Sequence, residues 1–205
     1  KAGVLLPDEP IEFEKAALQL EFSEPVTTEA NSVDLNTLLS NKDRKDLTPL
    51  FVFTIDDKYT EDRDDALSIT VIDDSSYQIG IHIADAGSLI AAESAMDKEA
   101  SRRMATLYTP ERKIPMLHPY VSSRKGSIVP GCRRAAISLL VNISTSSNIT
   151  KWEVVPSVIQ SKLALTYEET DKAIKTGDDH LANNLKQLHL IAGQLRQKRL
   201  ASGAL

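Results

Sequence analysis

Acidic side chains crowd the stretch TIDDKYTEDRDDAL at residues 54–67, where six of fourteen residues are Asp or Glu. Like charges packed this closely repel each other unless a cation lies among them. Hard divalent cations take oxygen ligands, and Mg²⁺ keeps several waters while binding one or two carboxylates directly. The spacing is therefore compatible with a magnesium site. Four aspartates between two strand-like runs could share the cation: Asp56, Asp62, Asp64 and Asp65.

Two other interpretations of this stretch follow from spacing alone. An EF-hand loop starting at Asp62 would need an oxygen ligand at its fifth position and glycine at its sixth, where Ala66 and Leu67 stand. The calcium interpretation is therefore excluded. A solvated acidic turn remains as good an interpretation as a metal site, since charge runs are usually solvated.

Three further residues have side chains suited to chemistry. His82 and Asp85, in the segment HIAD, could supply a metal ligand or a base, although a histidine on an alternating strand is more often structural. Tyr108 could stack on a nucleic-acid base, or could be an ordinary core aromatic at the end of a helix. The alternatives stay open for each of the three.

The charge is distributed unevenly along the chain. Residues 51–74 carry eight acidic and two basic side chains, whereas residues 98–134 carry nine basic and two acidic ones. Such an arrangement suits a metal site beside a polyanion track, or two solvated faces of opposite sign. The basic residues that could neutralise phosphates are Arg102, Arg103, Arg112, Lys113, Arg124 and Lys125.

Strands must position the acidic residues. The runs FVFTI, ALSITVI and YQIGIHIA are rich in β-branched residues, and the polar turn at 73–76 predicts a hairpin between the last two. The runs at 135–144 and 149–159 predict a second strand pair. Residues 94–108 predict a helix with Ser94 as N-cap, and the Pro-punctuated residues 109–120 predict an irregular loop.

The C-terminal part of the sequence predicts two helices. Thr166 and Glu169 have the spacing of a capping box, and residues 181–200 carry one apolar stripe that favours a core or docking surface. The stripe consists of Leu181, Leu185, Leu188, Ala192 and Leu195. The fold class predicted from these patterns is α+β, an antiparallel sheet with packed helices. We interpret residues 1–45 as a leader or linker, with 22–32 as a polar loop, and 46–205 as the folded domain.

Bulk composition narrows the class of protein. The 205 residues have a net charge of −5, one cysteine and no run long and apolar enough for a membrane helix. A single cysteine, Cys132, excludes an internal disulfide and favours a reducing compartment, the cytoplasm or alternatively an organelle matrix. We expect Cys132 to be a small buried residue.

Ordered segments of the sequence resemble the ribonuclease II/ribonuclease R (RNB) exoribonuclease family, which includes exosome-associated nucleases. The resemblance starts near Arg44 and runs to the C-terminus. The four-aspartate spacing, together with the order of the segments, makes it specific. The segments that carry it are TIDD, TEDRDDALSI, YQIGIHIADAG, TLYTPERKIPML, GSIVPGCRRAAIS and LRQKRLASGAL.

The resemblance implies the N-terminal portion of an RNB-type catalytic domain. It implies a hydrolase that degrades single-stranded RNA from the 3′ end with Mg²⁺ as cofactor and releases nucleoside 5′-monophosphates. Carried over by position, Asp64 is the catalytic aspartate, and Tyr108 stacks on the terminal nucleotide. The residues that hold metal are Asp56, Asp62 and Asp65.

The sequence departs from the family in length. The arginine and glutamate that the family's downstream half contributes to the active site have no position in this sequence, so we interpret it as a fragment. Two alternatives remain: a catalytically inactive RNB-like structural or RNA-binding subunit, and a metal-binding module without RNA affinity. The expected partner is single-stranded RNA, and no membrane association is expected. The rest of the domain or a larger complex is expected to dock on the C-terminal helix.

Overall fold

The computed structural model describes residues 20–110 and 112–204. The chain divides into two compact units, one formed by residues 1–32 and 91–118 and the other by residues 33–90 and 119–205. Of the leader predicted at 1–45, residues 1–19 lie outside the described residues.

The described residues form five α-helices and eight strands. The helices are α1 (Glu24–Ser32), α2 (Leu35–Leu39), α3 (Ala95–Arg103), α4 (Tyr167–Thr176) and α5 (His180–Ala201), with a 3₁₀ turn at Gly87–Leu89 and a π-helix at Tyr120–Gly126. The strands are β1 (Lys45–Asp46), β2 (Val52–Asp56), β3 (Asp65–Asp73), β4 (Ser76–Ala84), β5 (Leu107–Tyr108), β6 (Lys113–Ile114), β7 (Arg133–Ser144) and β8 (Ile149–Thr166).

The smaller unit contains α1, α3 and the β5–β6 hairpin. The carboxylate of Glu29 on α1 accepts bonds from the amides of Ala95 and Met96 at 3.0 and 2.9 Å, at the first turn of α3. The prediction of a polar loop at 22–32 is therefore wrong, because residues 24–32 form a helix that the Glu29 side chain joins to α3. Ser94 is the N-cap of α3, as predicted.

The helix predicted over 94–108 is shorter in the structure. It ends at Arg103, because Met104 adopts a left-handed conformation with φ of 62°. Leu107 and Tyr108 then pair with Ile114 and Lys113 in a two-stranded sheet. The loop predicted at 109–120 accordingly contains one short strand.

The larger unit is built on a six-stranded sheet in the order β1-β8-β2-β3-β4-β7, in which β8 also pairs with β7. The first part of β8 pairs antiparallel with β7, and its last residues pair parallel with β2. The sheet therefore closes on itself. Both predicted hairpins are present, and the predicted α+β class with a mainly antiparallel sheet is confirmed.

Small and polar residues fill part of the buried side of this sheet. His82 is completely buried, and its ring nitrogens bond to Ser68 Oγ at 3.0 Å and Ser138 Oγ at 2.7 Å. Ser138 continues the network to Ser157 Oγ at 2.6 Å. A neighbouring apolar cluster completes the core with Leu47, Val52, Ala66, Ile128, Ala136, Leu140 and Ile159.

Helix α5 packs on the sheet through a stripe close to the predicted one. Leu185 is buried, and Leu188 and Leu195 pack against a cluster that contains Ile191. Ala192 is exposed, and Ile191 takes the inward position instead. The Thr166–Glu169 capping box of α4 is present as predicted. Within the described residues, no helix has the length and apolar character needed to cross a membrane.

Candidate active site

The predicted aspartates gather where β2 ends and β3 begins. Strand β2 ends at Asp56 and β3 starts at Asp65, and the two strands are antiparallel neighbours, with Val52 opposite Ser68. Residues 57–64, here called the acidic loop, connect them. The loop therefore returns to the end of the sheet that it left. We call this end, with Asp56, Asp62, Asp64 and Asp65, the acidic end of the sheet.

Asp56 is the most enclosed of the four. Its side chain is 14% exposed, and Arg63 Nε lies 3.7 Å from its Oδ2. Burial raises the pKa of Asp56, whereas the nearby Thr54 hydroxyl and the charge of Arg63 lower it and the charge of Asp65 raises it slightly. The nearby Asp65 and Asp64 are exposed, and Asp62 is half-buried. The structure thus brings two like charges close enough to interact at the acidic end.

One buried carboxylate oxygen at this end has an ion-pair partner, Arg63, but no hydrogen bond. Among the described residues, Asp56 Oδ2 is buried and accepts no hydrogen bond. Leaving such an oxygen unsatisfied is costly, and a cation would remove that cost. The oxygen-only donor set also suits Mg²⁺. The residues present therefore fit a divalent cation, although in residues 20–110 and 112–204 no three His, Cys, Asp or Glu side chains already form a metal-holding group.

The acidic loop is fixed by residues far away in sequence. Ser127 Oγ accepts a bond from the amide of Arg63 at 3.0 Å and donates one to the carbonyl of Glu61 at 3.0 Å. Ser123 Oγ donates to Asp62 Oδ1. The amide of Ile128 donates to the carbonyl of Arg63 at 2.8 Å. Sequence reasoning missed these contacts, since nothing in the spacing of the two serines indicates them.

Arg134 has a structural position rather than one on a phosphate track. Its side chain is buried, and it donates from Nε to the carbonyl of Ser127 at 2.8 Å and from a terminal nitrogen to that of Arg124 at 3.0 Å. It therefore braces the backbone that contacts the acidic loop.

The residues of the HIAD segment have structural partners. Burial lowers the pKa of His82 to about 4, so the ring is neutral inside the sheet. Asp85 pairs with Arg44 at 2.5 Å. Burial alone would raise the pKa of Asp85, but bonds from Ser88 and Arg44 lower it overall. The structural interpretation of His82 is the one that its surroundings support.

Tyr108 lies in the smaller unit, on β5. Its ring is 74% exposed, and Lys113 Nζ lies 5.6 Å from the ring centroid. Its interpretation as a core aromatic is therefore wrong, because the hairpin turns the ring toward solvent.

The structure corrects two other expectations from the sequence. The side chain of Arg103 is only 6% exposed and pairs with Glu99 at 2.7 Å, which makes it a packing residue rather than a surface charge. Cys132, expected to be buried, is exposed in the turn that precedes β7.

The closed sheet has the same fold as part of a solved ribonuclease R. Mycoplasma genitalium RNase R in complex with ribose methylated single-stranded RNA superposes with a TM-score of 0.85 at 22% identity, over 94% of this chain and 31% of that chain. The RNB domain family matches residues 44–205, and the chain belongs to this family.

Curated relatives agree with this assignment. Ribonuclease R of Chlamydia trachomatis is 32% identical over 197 residues, which cover 94% of this chain and 28% of the relative. Ribonuclease R of Thermotoga maritima is 34% identical over 158 residues, covering 76% of this chain and 22% of the relative. The chain therefore spans about a quarter of the length of these relatives.

Proposed function

We propose that this chain belongs to a Mg²⁺-dependent 3′→5′ exoribonuclease that hydrolyses single-stranded RNA to nucleoside 5′-monophosphates. RNB family membership supports RNA degradation as the activity. The observation that carries the proposal is the buried Oδ2 of Asp56, which accepts no hydrogen bond, at an end of the sheet that also holds three more aspartates.

In the proposed mechanism, Asp56, Asp62 and Asp65 hold the cation. Bound Mg²⁺ would offset the charge of the scissile phosphodiester and lower the pKa of the attacking water. Asp56 presents its oxygen from a rigid strand end, and Arg63 limits the repulsion between Asp56 and the other carboxylates. These carboxylates would supply the anionic ligands of a cation bound at the acidic end.

Asp64 is the proposed catalytic aspartate. Its backbone carbonyl accepts a bond from the amide of Ala84 at 2.8 Å, which continues the β3–β4 pairing to this residue. The backbone of Asp64 is therefore fixed, while its carboxylate remains accessible to substrate and water. Such a position suits a side chain that orients the attacking water and accepts its proton.

Tyr108 is the proposed stacking residue for the terminal nucleotide. An exposed aromatic face with a lysine nearby matches the two parts of a nucleotide, its base and its phosphate. Stacking of a base on an aromatic ring contributes about 1–3 kcal/mol without sequence preference. Single-stranded RNA is therefore the proposed partner.

The decisive experiment replaces Asp64 by Asn in the full-length protein. We expect the release of nucleoside 5′-monophosphates to fall at least about 100-fold, with RNA affinity nearly unchanged. Asp57→Asn is the matched control, because the exposed Asp57 accepts a bond from the amide of Tyr59 at 3.0 Å through an oxygen that Asn keeps. Equal activity of wild type and Asp64→Asn would refute the assignment, and activity undiminished by a chelator would refute the metal.

A second candidate is a catalytically inactive RNA-binding subunit. It is favoured by one relative, the inactive exonuclease DIS3L2 of Arabidopsis thaliana, which is 34% identical over 178 residues. Salt-sensitive RNA binding by the full-length wild type without Mg²⁺-stimulated nucleotide release would establish it.

Two further expectations belong to the proposal. Helix α5, on which Leu190 and Leu200 are 52% and 44% exposed, is the proposed docking surface for the rest of the domain or a larger complex. The proposed compartment is the cytoplasm or an organelle matrix, where the exposed Cys132 would stay reduced.

A further inference from the structure

Hydrogen bonds to Ser127 hold the main chain on both sides of Asp62. The carbonyl of Glu61 and the amide of Arg63 both bond to Ser127 Oγ, each at 3.0 Å. These two groups flank Asp62 in the chain, so one buried hydroxyl fixes its backbone. The main chain at Asp62 is therefore held in place at the acidic end of the sheet.

The side chain of Asp62 is held separately. Ser123, on the π-helix, donates from Oγ to Asp62 Oδ1, and both residues are half-buried. A hydrogen bond to one carboxylate oxygen selects a rotamer, which removes conformational entropy before any ligand binds. Side-chain orientation and backbone position thus come from two different serines.

Arg134 holds the two serines in place. Its guanidinium bonds to the carbonyls of Ser127 and Arg124, on either side of the end of the π-helix, and its side chain is buried. Ser123 therefore approaches the acidic loop from a rigid support.

We infer that Ser123 is a positioning residue that orients the Asp62 carboxylate toward a divalent cation at the acidic end of the sheet. The inference rests on the proposed function, which makes Asp62 a metal ligand. Partners of metal-ligating carboxylates keep the ligand in its binding orientation, and their loss typically lowers metal affinity about 10–100-fold. Ser123 acts only through Asp62 and takes no part in bond cleavage.

The test measures Mn²⁺ affinity by electron paramagnetic resonance on the full-length protein without RNA. We expect Ser123→Ala to weaken Mn²⁺ binding at least about tenfold. Ser123→Thr keeps the hydroxyl and should restore most of the affinity. Ser122→Ala is the matched control, because it removes a hydroxyl from the same π-helix and keeps the carbonyl that accepts from the amide of Ser127 at 2.9 Å.

Kinetics separate positioning from a general structural effect. In Ser123→Ala, raising the Mn²⁺ concentration should restore kcat, while the KM for RNA stays near the wild-type value. Hydrogen exchange at the amides of Arg63 and Ile128 should stay slow, because their bonds to Ser127 and Arg63 do not involve Ser123. Fast exchange at both amides would show a collapsed loop and overturn the inference.

The remaining outcomes also distinguish the inference from the proposed function. Wild-type Mn²⁺ affinity in Ser123→Ala, in a protein that loses activity with Asp64→Asn, would overturn the inference alone. An affinity that depends on Ser123 in a protein without nuclease activity would support the inference and refute the proposed reaction. A wild-type protein that binds no Mn²⁺ would overturn both.

Discussion

The buried ring of His82 makes the stability of this protein depend on pH. The ring is completely buried, and Ser68 and Ser138 bond to its two nitrogens, so the neutral form fits the site. Burial lowers the pKa of His82 from 6.5 to about 4. In the unfolded chain, the same ring takes up a proton as the pH falls through 6.5. Between these two values the unfolded state binds more protons, and stability decreases as the pH falls.

The magnitude follows from the two pKa values. At about 1.4 kcal/mol per pH unit, the full difference contributes about 3 kcal/mol of stability. This contribution is complete above pH 6.5 and is lost by about pH 4. Between pH 7.5 and pH 5 the expected loss is about 2 kcal/mol, before most carboxylates become protonated. Typical domains have only about 5–15 kcal/mol in total, so a loss of this size is measurable.

Urea denaturation at pH 7.5 and pH 5 measures the effect. His82→Gln should be less stable than wild type at pH 7.5, because it disturbs a buried network, but its free energy of unfolding should fall by about 2 kcal/mol less between the two pH values. His189→Gln is the matched control, since this histidine is exposed on α5 of the same unit. Equal pH dependence of wild type and His82→Gln would refute the reasoning, as would an NMR titration of His82 with a midpoint near 6.5.

Two glycine substitutions should change stability in opposite directions. In Gly80→Ala, the new Cβ would lie 2.4 Å from Ser68 Oγ and 2.5 Å from His82 Nε2, so we expect a loss of about 1–3 kcal/mol in urea denaturation; unchanged stability would mean that the polar network can move aside. In Gly193→Ala, within α5, no described atom outside the neighbouring residues and the local helix backbone lies within 4 Å of the added Cβ, and we expect a gain of about 0.5–1 kcal/mol. A loss at Gly193 would show that this face of α5 is covered.

The strands were predictable because their signals are local. Alternating β-branched residues predicted β3 and β4, and turn residues predicted the connection at 73–76. The closure of the sheet was not predictable, because it depends on β8 continuing to Thr166 and pairing with β2, about a hundred residues away. The end of α3 also depends on the left-handed conformation of Met104, for which a methionine gives no sequence signal.

The positions of the aspartates at the acidic end could be predicted in part. Asp56 and Asp65 lie at adjacent strand ends, which follows from a strand-loop-strand pattern. That Asp56 would be buried without a hydrogen bond at Oδ2 does not follow, because burial depends on the rest of the sheet. Spacing alone does not distinguish a solvated turn from the proposed cation site, because the two differ in this burial.

Residues far away in the chain support the acidic loop, which explains why sequence reasoning found the aspartates but missed their supports. Within the loop, the local bonds run from the Tyr59 amide to the Asp57 side chain and from the Thr60 amide to the Asp57 carbonyl. They order its first half. In the second half, Glu61, Asp62 and Arg63 bond to Ser123 and Ser127, more than sixty positions later in the chain, and Asp64 bonds to Ala84. Carboxylate repulsion would push this half into solvent unless these distant donors held it, so the fold of residues 120–134 decides whether four aspartates form a site or a solvated turn.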